Sequence, residues 1–110
     1  AITGACVAVH DAFAWMVAHG HVAASPVKRR VSAVSVGVVD GTIRTDLEYL
    51  EDVKAEVDMN VVIAAPSQFV EVQGTGENGT FDRAQLTALL DAAVAACAEL
   101  DAAQARALGL

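Results

Sequence analysis

Val31-Ser-Ala-Val-Ser-Val-Gly-Val-Val-Asp-Gly-Thr-Ile-Arg-Thr-Asp-Leu47 decides the fold class of this 110-residue chain. Its first nine residues alternate and then run apolar, the pattern of a strand buried in a sheet. Asp40-Gly41 is a two-residue hairpin signal, because the tight turn that matches strand twist needs positive φ at both central positions. The chain therefore turns back into a second short strand, Thr42 to Leu47. Further along, Met59 to Ala64 and Gln68 to Gln73 read as two more strands, separated by the Ala-Pro66-Ser67 turn. The run Gly74-Thr-Gly-Glu-Asn-Gly79 is a loop. Helical spacing flanks this β region. Val7, Phe13, Met16 and Val17 recur in a helix from Thr3 to His19, with Thr3 as N-cap and Gly20 as the stop. Residues 21–30, with Ser25-Pro26, form a connector. Asp82 caps a longer helix to about Arg106, striped by Leu86, Leu89, Leu90, Val94, Cys97 and Leu100. The order is α-β-β-β-β-α: an α/β (α+β) unit whose four strands are expected to form a mixed sheet, the hairpins supplying antiparallel pairs.

Composition narrows the function. The chain is 55% apolar, with a mean hydropathy of +0.44. It is richer in Ala, Val and Leu than a soluble domain of ordinary make-up. Short chains have little interior. The excess implies apolar faces that a partner covers, either other subunits or a further part of the same domain. No apolar run approaches the ~20 residues that span a bilayer, and no secretory signal pattern is present. A cytoplasmic protein without membrane contact is expected. Cys6 and Cys97 sit inside helical patterns and read as small buried hydrophobes, not as a disulfide framework. The net charge of −7 excludes a nucleic-acid clamp acting alone, since phosphate backbones are held mainly by Lys and Arg. The one basic cluster, Lys28-Arg29-Arg30, reads as a solvated strand edge.

Between the two hairpins lies the chemistry. Asp46, Glu48, Glu51, Asp52, Glu56 and Asp58 fall within thirteen positions, with Lys54 as the only cation among them. Repulsion this dense fits either a solvated acidic turn or the surroundings of a bound cation. Without Cys or His, the cation would be hard and oxygen-seeking, so Mg²⁺ or Mn²⁺ rather than Zn²⁺. Six positions rotate a helix by about 240°, so Asp52 and Asp58 cannot face one site from a continuous helix. They converge only if the chain bends between them, with Asp58 at the start of the strand beginning at Met59. Other candidates carry less. Gly74-Thr75-Gly76 has amides that could cradle a phosphate, but Glu77 follows and no P-loop lysine does. His10, His19 and His21 have no nucleophile at useful spacing. Ser32 and Ser35 alternate with Val in a strand. Trp15 and Tyr49 are too few for a base-stacking platform.

Five segments carry a resemblance: Ile2-Thr-Gly-Ala-Cys6, Val31-Ser-Ala-Val-Ser-Val-Gly37, Asp46-Leu-Glu-Tyr-Leu-Glu-Asp52, Ala55-Glu-Val-Asp-Met-Asn-Val-Val62 and Glu71-Val-Gln-Gly-Thr-Gly-Glu77. In this order they resemble the C-terminal half of the bacterial ribonuclease PH family. The resemblance implies a ribosomal-protein-S5-domain-2-like half-domain and a phosphate-dependent 3′→5′ exoribonuclease trimming tRNA precursors. Inorganic phosphate is then the co-substrate and a nucleoside diphosphate the product. It implies that Asp52 and Asp58 are the catalytic, metal-holding carboxylates for Mg²⁺ or Mn²⁺; Asp46 fits the motif with its role open. It places the phosphate-binding residues immediately upstream of Ala1, near Thr3. The implied partners are the RNA 3′ end, an N-terminal half of the same protein, and a homo-hexamer built as a trimer of dimers. The alternative is a non-catalytic assembly subunit of a phosphorolytic ring.

Overall fold

The structure, a computed structural model, describes residues 2–25, 29–45 and 55–109. Helix α1 spans Ile2–Ala18. Strand β1 (Val31–Val39) pairs with β2 (Thr42–Thr45) and with β3 (Val57–Ala64), which pairs with β4 (Gln68–Thr75); helix α2 (Arg83–Leu108) closes the order.

Local chemistry sets the boundaries. Asp40 and Gly41 take φ of 52° and 75°, so the predicted hairpin turn forms and Val39 faces Thr42. Gly20 sits at φ 75°, with its N–H on the Val17 carbonyl and that of His21 on Met16. This pair of bonds ends α1 in a Schellman arrangement. The helix already includes Ile2, so Thr3 lies within its first turn and is not its cap. Asp82 caps α2 reciprocally with Gln85. Its carboxylate accepts the Gln85 N–H at 2.8 Å, and Gln85 Oε1 accepts the Asp82 N–H at 2.9 Å.

Strand order is β2-β1-β3-β4, and all three pairings are antiparallel. The mixed sheet expected from the sequence is corrected here, and the reason is topological. β2 and β3 run the same way, but β1 lies between them, so no parallel pair is hydrogen-bonded. A bulge at Val62/Ile63 shifts the β3–β4 register near the Ala65–Pro66 turn.

Both helices pack on one face of the sheet. Val34, Val36 and Val38 of β1, with Val57, Met59, Val61 and Ile63 of β3, meet Leu89, Ala93 and Cys97 of α2 there. Cys97 is buried, as expected, while Cys6 is half-buried and accepts the Val31 N–H at 3.3 Å. The far end of α2 is tied to the start of β1 by polar contacts. Arg30 donates to both oxygens of Asp101, Nε at 2.6 Å and a terminal nitrogen at 3.2 Å, and this bond holds the guanidinium pKa above its ordinary value. Buried Gln104 donates to the Val31 carbonyl at 2.8 Å.

Candidate functional site

The second face of the sheet carries the candidate site. Residues directly opposite in antiparallel pairs share a face. Gly37 stands opposite both Arg44 and Asp58, while Asp58 stands opposite Thr75. Arg44, Gly37, Asp58 and Thr75 thus form one row across all four strands. Val57 and Met59, the neighbours of Asp58, point into the core beneath the helices, so alternation along the strand sends Asp58 to the opposite side. It is half-buried, with Oδ1 shielded from solvent. Gly37 brings no side chain to crowd the carboxylate.

Asp58 is the second residue of β3 and does not precede the strand, as the sequence had placed it. The Glu56 N–H donates to the Val38 carbonyl at 2.8 Å, which continues the pairing back past Val57. One step along the same face, Ser35 Oγ donates to Asn60 Oδ1 at 2.8 Å. Asp52 and Asp46 lie outside the described residues. Among the described residues, no three His, Cys, Asp or Glu side chains gather at metal-binding distance. An oxygen-only carboxylate suits a hard divalent cation. Asp58 meets that requirement.

The Cys6–Val31 hydrogen bond places the early turns of α1 at the start of β1, whereas Asp58 faces Gly37 towards that strand's other end. Six residues of strand separate these levels, roughly 20 Å. Within the described residues, the Asp58 row is therefore not flanked by the first turn of α1.

Arg44 and Asn78 were not singled out by the sequence reading. Arg44 was legible in principle: a two-residue turn at Asp40-Gly41 fixes Val39, Val38 and Gly37 opposite Thr42, Ile43 and Arg44. Arg29 and Arg30 lie at the far end of the sheet, where Arg29 donates to Gln68 at 2.6 Å and Arg30 holds Asp101. Asn78 had no motif to mark it; it reaches back from the loop after β4 to donate to the Ala55 carbonyl at 3.0 Å.

Comparison with known proteins decides the family. Residues 29–96, the sheet and most of α2, match the family described as "3' exoribonuclease family, domain 2". The chain belongs to this family. It is 55% identical to ribonuclease PH of Nocardia farcinica and 57% identical to that of Mycobacterium avium, in each case over 100% of this chain and 43% of the relative. Ribonuclease PH of Corynebacterium glutamicum is 53% identical over 99% of this chain and 44% of its own length. The chain thus spans less than half of these relatives and corresponds to their C-terminal part. A solved structure, rice (Oryza sativa) Rrp46, superposes with a TM-score of 0.71 at 17% identity, covering 100% of this chain and 46% of that one. That likeness establishes the fold, which agrees with the expected ribosomal-protein-S5-domain-2-like half. Neither described helix is long and apolar enough to cross a membrane.

Proposed function

We propose that this chain is the carboxylate-bearing part of a phosphate-dependent 3′→5′ exoribonuclease that trims the 3′ ends of tRNA precursors in the cytoplasm and releases nucleoside diphosphates. The observation that supports this most is the placement of Asp58 in a family member. Its half-buried carboxylate stands on the sheet face opposite the helices, beside a glycine and immediately after an acidic segment. Asp58 and Asp52 would hold Mg²⁺ or Mn²⁺. When bound, the cation would screen the repulsion between inorganic phosphate and the RNA backbone and polarise the scissile phosphate.

The chain's own residues have distinct parts in this reading. Asp58 presents its carboxylate from a strand hydrogen-bonded on both sides, the kind of rigid support a ligand-binding side chain needs. Gly37 keeps the floor beside it free of side chain. Arg44, on the same row, puts positive charge next to an otherwise acidic region. The phosphate-binding cations belong to the remaining length of the relatives, an N-terminal half with which this part would assemble into a homo-hexamer.

The test is product analysis with the full-length protein on RNA bearing a 3′ extension. With inorganic phosphate and Mg²⁺, nucleoside 5′-diphosphates are expected; without phosphate, the RNA should stay intact. Monophosphate release regardless of phosphate would mean hydrolysis and overturn the proposal. Intact RNA under every condition would favour the non-catalytic assembly subunit.

A further inference from the structure

The polar face does not end at Asp58. Ser35 stands opposite Asn60, and Asn60 opposite Gln73, just as Gly37, Asp58 and Thr75 face one another. The two rows share the sheet face opposite the helices, so Asn60 follows Asp58 along β3 at a spacing of about 7 Å. Asn60, Gln73 and Thr75 are exposed. Ser35 Oγ donates to Asn60 Oδ1 at 2.8 Å. That bond turns the carboxamide oxygen towards β1, so the two N–H donors on Nδ2 face the other way. The amide is thus held in one orientation, with its donors presented one strand step from the carboxylate.

The chemistry of this patch narrows what could meet those donors. Asn60, Gln73 and Thr75 are uncharged hydrogen-bonding side chains. A phosphate calls for Lys or Arg, and the face of a base calls for an aromatic ring; these three residues supply neither. Ribose hydroxyls, which both donate and accept, match carboxamides and a hydroxyl. We propose that Asn60 donates a hydrogen bond to a 2′-hydroxyl of the RNA beside the scissile linkage, and so selects RNA over DNA. Ser35 is then a positioning residue that holds the amide. The inference rests on the reading of Asp58 as part of the reaction centre, and deepens it to the sugar that the site accepts.

The experiment uses the full-length protein with inorganic phosphate and Mg²⁺. Its substrates are RNAs carrying one 2′-deoxy nucleotide, at either the 3′-terminal or the penultimate position. Wild-type kcat/KM should fall about tenfold at one of the two positions, the weight of one lost hydrogen bond, and that position identifies the sugar held. On all-ribose RNA, Asn60→Ala should lose about tenfold and Ser35→Ala about threefold. On the RNA lacking that hydroxyl, both variants should match the wild type within about twofold. Equal losses on both RNAs would make the Ser35–Asn60 pair a structural strand contact and overturn the proposal. So would a wild type indifferent to both 2′-deoxy substitutions. Asp58→Asn keeps the two layers apart. Wild-type turnover in that variant would remove the reaction centre from this face and the proposal with it, whereas equal losses in Asn60→Ala leave the reading of Asp58 standing.

Discussion

In the proposed reading Asp58 needs both its carboxylate charge and its place on the strand. Six acidic residues crowd this stretch of sequence, and the structure sends this one to the face of a paired strand opposite the helices, beside a glycine. Asp58→Asn keeps the shape and removes the charge. It should lower phosphorolytic turnover at least ~100-fold while the oligomer, followed by sedimentation, stays assembled. Asp52→Asn should behave alike. The face of Asp58 was legible, because Val57, Met59 and Val61 claim the core and alternation leaves no other side. Its strand neighbours were not. Nothing in the sequence states the register between β1 and β3, so the row from Arg44 through Gly37 to Asp58 and Thr75 emerges only from the folded sheet. At the far end of β1, Gln104 is a buried amide whose donor satisfies the Val31 carbonyl. Gln104→Ala should cost about 1–3 kcal/mol in chemical denaturation, the range for leaving a buried polar partner unmet.

At the scale of elements, local signals specified ends well and pairings less well. Asp40-Gly41, Gly20 and Asp82 each did what their chemistry dictates. Removing the α2 cap with Asp82→Ala should cost about 1 kcal/mol, read as a lower urea midpoint at unchanged slope. Leu89 of α2 is fully buried against the β1–β3 valines, at 0% exposure. Leu89→Ala should therefore destabilise by about 2–5 kcal/mol. The start of β3 was misread by two residues because Val57-Asp58 lies within the acidic stretch and its pairing comes from β1. The mixed sheet was misread for a related reason: periodicity shows how each strand is buried but not which strand comes to lie between two others.

The molecule as a whole is elongated, with extents of 54 × 26 × 20 Å. Its radius of gyration is 16.5 Å. A compact domain of this length would have about 13 Å. Phe69, Val70 and Val72 on the edge strand β4, and Trp15 on α1, are 44–63% exposed. The apolar surplus foreseen from composition is thus visible as uncovered surface, and the relatives are more than twice as long as this chain. What composition could not supply was the location of that surface, which depends on where the helices end over the sheet. The 110-residue chain alone is expected to show no phosphorolysis and the full-length protein is expected to show it; activity in the isolated chain would show that this part needs no complement. The most direct measurement is a crystal structure of the full-length protein soaked in Mn²⁺, with the ion located by anomalous scattering. One peak is expected about 2.1 Å from carboxylate oxygens of both Asp52 and Asp58. A peak held elsewhere, or the two carboxyl groups on opposite faces of the sheet, would contradict the shared cation site.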